Sequence, residues 1–534
     1  MQTFLAEHPP ILQSLMSHHA WPTLAFGLRV IFFVLFGLLL IRMHFRLSKE
    51  GGRGVQRLPF AVWVAVPLIL FLLAGRQAVW QLLGSRNEKF VGFMQRYDRR
   101  EFNPAHLVRS GKILDRNGAV LAESRVTPRG IQRLYRHGPL FSHAIGYNNP
   151  VYGLSGVESA ARADLVGGPL RTKEDLARFG TSLLDRKAHA EGPSLKTTLD
   201  LRLQRKARDL MEGRTGAVVL MDVETGDLLV LLSSPDFDPN RLYPRVFNAG
   251  NAPLVNRALA GQYPPGSVFK VLIAAAALQT GATGTLNTPV EGWTAGKGNP
   301  PIRDHEYYSA QKEGRRWKGH GPLSLGQALA KSSNTYFAQL GPKIGSASLG
   351  KIMDTSGLTQ SIPLWNKTEG TLTLRPARLP SLQDSQAYGL GQFCIGQGDV
   401  LVSPLHMAMI SAAVANGGRV VFPRLDPTMT QREGGSLCPP PQAESLRRMM
   451  VRVVEEGTGR GMRMPEISSG GKTGTAQTGT GRESHSWYVG FAPATRPKWA
   501  FCVMIEHGGY GSVSALPVAR ELLRFGVKEG ILRP

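Results

Sequence analysis

The stretch GAVVLMDVETGDLLVLLSSP, Gly216–Pro235, decides the fold. It is two apolar runs around Glu224-Thr225-Gly226-Asp227, the pattern of two strands joined by a polar turn. Three more strand patterns come only near the end of the chain: GGKTGTAQT, SWYVGFAP and KWAFCVMIE. The interval between, about 235 residues, carries helical stretches at Ser267–Gln279, Leu323–Leu340, Pro404–Ala415 and Glu444–Glu456. Another helical period, LDLRLQRKARDLME, lies just upstream of the first strand. The chain thus starts a sheet, leaves for a mostly helical excursion and returns to finish it. The expectation is an α+β architecture, one five-stranded antiparallel sheet with helices on both faces, over residues 196–534.

At 534 residues, 42% hydrophobic and 19% charged, the chain is too long for one ordinary domain. Its formal net charge of +24 suits anionic lipid headgroups, a carboxylate-rich polymer or nucleic acid. With no zinc-finger spacing, RNA-recognition motif or phosphate-binding glycine loop, the charge alone does not argue for nucleic acid. The three cysteines, Cys394, Cys438 and Cys502, form no CxxC and no metal spacing. Cys502 sits in a buried-strand pattern and reads as a small apolar filler.

Two near-continuous apolar runs, Leu24–Ile41 and Pro59–Gly75, each approach the length of a bilayer span. The alternative is a buried hairpin, and Arg29 weakens the first run as a span. Residues 1–28 hold no Lys or Arg, whereas the connector carries Arg42, Arg46, Lys49, Arg53 and Arg57. The positive-inside rule places that connector in the cytoplasm. The expected order is an outer tail (1–22), a span (23–42), a cytoplasmic loop (43–58) and a second span (59–78). If only the second run crosses, the large C-terminal part still lies outside. Without a basic start, the N-terminus does not read as a cleaved signal peptide. Residues 84–195 are polar and basic. There RSGKILDRNGAVLAES (Arg109–Ser124) reads as a hairpin, and the region as a pedestal without a catalytic constellation.

A serine three before a lysine occurs four times, at Ser267, Ser309, Ser348 and Ser469, so the spacing alone decides nothing. Ser267 has a distinctive context. Pro264-Pro265-Gly266 stops any helix upstream, and an apolar helix follows. Lys270 shares a helix face with Ser267, and burial would leave its amine neutral and basic. The competing reading is an ammonium that snorkels out at the helix end. Downstream, Ser332 and Asn334 in KSSNTYF open another apolar helix, where they are equally ordinary N-cap residues. Lys472-Thr473-Gly474-Thr475 lies on a strand pattern. A cation and two hydroxyls there suit a substrate carboxylate, and the glycine would let a ligand backbone approach. The bland alternative is a polar edge strand.

In this order, SxxK, SxN and KTG resemble the serine acyltransferases that recognise penicillin, with separations of 65 and 140 residues. YPPGSVFK, SSNTYF, GQGDVLVSPLHMA, GGKTGTAQ and SWYVGFAP are similar to penicillin-binding protein sequence. Upstream, RSGKILDRNGAVLA, GLSGVE and TTLDLRLQ resemble the pedestal and domain entry of the class B, monofunctional transpeptidases, which implies a small β-rich, dimerisation-like domain over residues 84–195. The resemblance covers roughly residues 105–530 and implies a bacterial inner-membrane D,D-transpeptidase with its catalytic domain outside. By that resemblance Ser267 is the nucleophile acylated by a D-alanyl-D-alanine stem peptide, and Lys270 its base. Ser332 relays a proton to the leaving amine, Asn334 binds the peptide amide and Lys472 supports the relay. Thr473 and Thr475, around Gly474, hold the carboxylate, and the N–H groups of Ser267 and Thr475 form the oxyanion hole. No metal or cofactor is implied. Partners would be stem peptides on lipid-linked precursors, β-lactams as covalent inhibitors, and a SEDS-type glycan polymerase in the membrane.

This sequence departs from the family in having two apolar runs where class B members usually have one span. The rivals are a D,D-carboxypeptidase or β-lactamase using the same site, and a non-enzymatic β-lactam sensor or scaffold. A sensor would need an effector such as an HExxH zinc protease, and DHEYYSA has His305 and Glu306 but Ser309 at the second histidine position.

Overall fold

The computed structural model describes residues 109–127, 130–166, 191–365, 372–382, 385–479 and 481–533, together with Arg42, Ile69, Leu72 and Leu73. Two compact units divide the chain: Met1–Arg109 with Gly167–Glu191, and Ser110–Val166 with Gly192–Pro534. The expected spans at 23–42 and 59–78 fall outside the described residues, except that Arg42, Ile69, Leu72 and Leu73 are helical. Among the described residues no helix is long and apolar enough to cross a membrane.

The second unit begins with a small sheet. Strands β1 (Ile113–Leu114), β2 (Val120–Thr127), β3 (Gly130–Tyr135) and β4 (Leu195–Lys196) lie in the order β3-β2-β1-β4. β1 and β2 are the expected hairpin, antiparallel, with Ile113 opposite Ala122. The Asp115 carboxylate closes its turn by accepting from the N–H groups of Asn117 and Ala119, both at 2.8 Å.

The main sheet is built from β5 (Gly216–Asp222), β6 (Leu228–Ser234), β7 (Gly470–Ala476), β8 (His485–Ala492) and β9 (Trp499–Ile505). Its order is β7-β8-β9-β5-β6 and every pairing is antiparallel. The first two strands and the last three therefore meet as the sequence pattern requires. Alternation along β5 sends Val219 and Met221 to one apolar cluster and Val218 and Leu220 to another. Both faces are covered, which is why β5 up to Met221 and β6 up to Leu232 carry no polar side chain.

Around the sheet stand α1 (Leu201–Leu210), α2 (Lys270–Thr280), α3 (His305–Lys312), α4 (Leu325–Lys331), α5 (Asn334–Ile344), α6 (Ser346–Thr355), α7 (Pro404–Ala415), α8 (Pro440–Glu455) and α9 (Ala515–Lys528). Leu203 and Ala207 of α1 and Leu516, Ala519 and Leu522 of α9 pack on one face. Ile273 of α2, Leu329 of α4, Phe337 of α5 and Met407 of α7 belong to the larger cluster on the other. Cys394, Cys438 and Cys502 are all buried and free.

Two elements differ from the sequence pattern. The helix at Ser267 starts as a 3-10 turn, Gly266–Phe269, and becomes α-helical only at Lys270. The stretch Leu323–Leu340 is two helices, broken at Ser332, whose backbone is left-handed (φ 60°, ψ 33°). The break has a physical cause. Ser333 caps α5 by accepting from Tyr336 N at 3.1 Å, and its own hydroxyl donates to the buried Asp304 carboxylate at 2.9 Å.

Candidate active site

Ser267 sits half-buried in the 3-10 turn between Gly266 and the apolar helix α2. That turn presses against the edge strand β7. Gly266 has φ +54°, and a Cβ there would lie 2.8 Å from Thr475 O. Only glycine meets both demands. Gly474 answers from the strand: a Cβ on it would lie 2.9 Å from Val268 Cγ1 and 3.2 Å from Pro265 O. The space that glycine leaves is thus filled by the serine's own turn, rather than by the ligand backbone the sequence pattern suggested.

Lys270 is 0% exposed, so its amine does not snorkel to solvent. Nζ donates to Ser332 O at 2.6 Å and to Asn334 Oδ1 at 2.7 Å. Asn334 Nδ2 donates to Arg303 O at 3.1 Å, which fixes the amide with its oxygen toward Lys270. Burial lowers the Lys270 pKa to about 7, against smaller raising effects of Asp304 and Glu306. A neutral amine has two N–H groups, and both find acceptors here. Its lone pair stays free to take a proton. Among the described residues, no side chain hydrogen-bonds the Ser267 hydroxyl.

Lys472, equally buried, reaches in from β7. Its Nζ donates to Ser332 Oγ and to Thr473 O, both at 2.8 Å. Burial, and after it the charge of Lys270, pushes its pKa well below the usual lysine value. Ser332 therefore stands between two amines, its carbonyl on Lys270 and its hydroxyl on Lys472. N-capping accounts for neither Ser332 nor Asn334, because Ser333 is the cap. Thr473 Oγ1 lies 2.6 Å from Thr458 Oγ1, and Thr475 Oγ1 accepts from Gly511 N at 3.4 Å. The structure thus gathers Ser267, Lys270, Ser332, Asn334, Lys472, Thr473, Gly474 and Thr475 along one seam between helices and sheet edge.

The Ser309 and Ser348 pairs stand apart from this seam, whereas the lysine of the Ser469 pair is Lys472 itself. Ser309 bonds His305 Nε2 at 3.0 Å, and Lys312 and Lys351 are exposed. Ser469 is buried in the segment leading into β7. Two residues of the seam's surroundings escaped the sequence pattern. Asp304 also accepts from Thr335 N at 2.9 Å, across 31 residues of sequence. Thr458, in EEGTGRG, touches Thr473. A carboxylate before an exposed helix and a threonine between glycines carry no distinguishing sequence signal. Among the described residues no group of three His, Cys, Asp or Glu side chains is arranged to hold a metal ion.

Comparison with known proteins gives two family matches. Residues 216–524 match the penicillin binding protein transpeptidase domain, and residues 110–185 the penicillin binding protein A dimerisation domain. Over 522 residues the chain is 29% identical to the peptidoglycan D,D-transpeptidase PbpA of Mycolicibacterium smegmatis, covering 88% of this chain and 98% of that one. The Mycobacterium tuberculosis PbpA is 30% identical over 76% of this chain and 87% of its own length. The MrdA transpeptidase of Acinetobacter baumannii is 29% identical over 75% of this chain and 67% of its own. Among solved structures, the penicillin G acyl-enzyme of M. tuberculosis penicillin-binding protein A has a TM-score of 0.67 at 29% identity, over 78% of this chain and 99% of that one. The ceftriaxone acyl-enzyme gives 0.69 at 28% identity, over 78% of this chain and 98% of that one.

Proposed function

The chain belongs to the penicillin-binding transpeptidases, and from that membership we infer how its own residues divide the work of the reaction. The protein is a class B peptidoglycan D,D-transpeptidase, a serine acyltransferase of cell wall synthesis that penicillins acylate. The observation that carries the assignment of roles is the convergence of two buried lysines on Ser332, beside the Ser267 turn.

Neutral Lys270 takes the Ser267 proton as Oγ bonds the carbonyl carbon of the penultimate D-alanine. The C–N bond to the terminal D-alanine breaks, and the leaving nitrogen receives a proton through the Ser332 hydroxyl, which Lys472 orients. The amine of a second stem peptide then attacks the ester, gives up a proton and frees Ser267. Asn334 binds the donor's peptide amide, and Thr473 and Thr475 hold its carboxylate. Thr475 O faces the Ser267 turn, since a Cβ on Gly266 would nearly touch it. A strand residue's N–H points to the same side as its C=O. Thr475 N–H, with that of Ser267, thus supplies the oxyanion hole.

Residues 23–42 and 59–78 anchor the protein in the bacterial inner membrane, with 43–58 inside. Residues 84–195, as pedestal, and 196–534, as transpeptidase domain, then lie outside. Ile69, Leu72 and Leu73 are helical and more than half exposed, which suits a lipid-facing surface. The two membrane segments and pedestal offer a surface for a SEDS-type glycan polymerase, and lipid-linked precursors supply the stem peptides.

Ser267→Ala in the full-length protein is the direct test. Labelling by a fluorescent penicillin, and cross-linking of stem peptides, disappear while the melting temperature stays put. Persistent labelling of this variant, lost instead in Ser309→Ala or Ser348→Ala, would assign the nucleophile elsewhere.

A further inference from the structure

Thr473 is only 7% exposed, and the hydroxyl that meets its own is Thr458 Oγ1, at 2.6 Å. Thr458 belongs to the glycine-flanked segment just after α8 and is itself exposed. Two contacts hold it in place. Thr458 N donates to Ala330 O at 3.1 Å. A Cβ on Gly457 would lie 2.2 Å from the same oxygen, so a glycine is needed for the segment to come this close to the end of α4. Ala330 lies two residues before Ser332. Thr458 therefore spans the SxN turn and the KTG strand, the two walls that the Lys472–Ser332 hydrogen bond also joins.

Each threonine hydroxyl has one proton to give. If Thr473 gives its proton to a carboxylate, its contact with Thr458 survives only as an acceptor. We propose that Thr458 is a positioning residue of the carboxylate site: its hydroxyl donates to Thr473 Oγ1 and so turns the Thr473 proton toward the substrate carboxylate. The inference rests on Thr473 being a carboxylate ligand, and its test separates the two ideas.

The full-length protein is acylated with benzylpenicillin and, in parallel, with its methyl ester, which lacks the charged carboxylate. Rates are read as loss of fluorescent-penicillin labelling, for wild type, Thr458→Val, Thr458→Ser and Thr473→Val. Thr458→Val should slow benzylpenicillin about tenfold, the scale of one hydrogen bond serving a charged group. It should leave the ester rate unchanged, and Thr458→Ser should restore the wild-type rate to within about twofold. Equal slowing of acid and ester by Thr458→Val makes the residue merely structural and overturns the proposal. So does a Thr473→Val variant that loses the preference for the acid while Thr458→Val keeps it. If neither variant changes that preference, the carboxylate role of Thr473 falls as well.

Discussion

A protonated Lys270 would bring three N–H donors to a place where Ser332 O and Asn334 Oδ1 accept two. The third finds no further hydrogen-bond acceptor among the described residues. The neutral amine fits that environment, and the pKa of about 7 follows chiefly from burial. Acylation of Ser267 should then rise with pH and reach half its plateau near pH 7, as the second-order rate constant for benzylpenicillin measured from pH 5 to 9 would show. A flat profile over that range removes Lys270 as the titrating base. The same shift acts on stability. Between the folded value of about 7 and the ordinary 10.5, the unfolded chain binds more protons at this position than the folded one. Its contribution to stability therefore increases with pH across that window and is least favourable below it. Lys472 adds to the trend in the same direction, since its pKa is lowered too.

At the scale of elements, the decisive feature is the break between α4 and α5. Hydrophobic period alone runs through Leu323–Leu340 without interruption, because α4 and α5 both bury apolar side chains in the same cluster. What stops the helix is a carboxylate far away in sequence, Asp304, which takes Ser333 Oγ and Thr335 N, each at 2.9 Å. Such a contact leaves no periodic trace, so the motif was legible in the sequence but the left-handed Ser332 was not. The 3-10 start at Ser267 was hidden for a similar reason. Pro264-Pro265-Gly266 marks a helix boundary, whereas the fit of Gly266 against Thr475 depends on a strand more than 200 residues later. Asp304 also raises the Lys270 pKa against the effect of burial. Asp304→Asn should therefore shift the acid limb of the acylation profile to lower pH than in wild type. Asp304→Ala should in addition lose about 1–3 kcal/mol of stability, since Thr335 N–H is left buried without its partner. A shift of the asparagine variant's limb to higher pH contradicts this electrostatic role.

On the scale of the molecule, the composition and strand pattern marked a pedestal ahead of a catalytic domain, yet residues 110–166 and 192–534 form one compact unit. Polar groups that no periodicity reveals make the join. Asp115, in the hairpin turn, accepts from Leu201 N at 3.2 Å, and Asn117 Nδ2 donates to Asp200 Oδ2 at 3.0 Å, so the turn holds the start of α1. One turn on, Gln204 is 1% exposed. Its amide nitrogen donates to Leu140 O at 3.1 Å and Leu231 O at 3.2 Å, and its oxygen accepts from Leu231 N at 3.0 Å. Leu231 lies on the sheet's edge strand β6, and Leu140 lies between the small sheet and α1. A single side chain thus satisfies Leu231 on the edge of the main sheet and fastens it to the 3-10 turn Gly138–Phe141 that follows β3 of the smaller one. Gln204→Leu keeps the volume and strands three buried backbone groups, costing at least about 2 kcal/mol. Because the join is continuous, the loss should appear as one lowered transition, with penicillin labelling and far-UV circular dichroism of the full-length protein melting together. Labelling that survives to the wild-type temperature while part of the ellipticity melts early would mean that the two sheets fold as independent bodies.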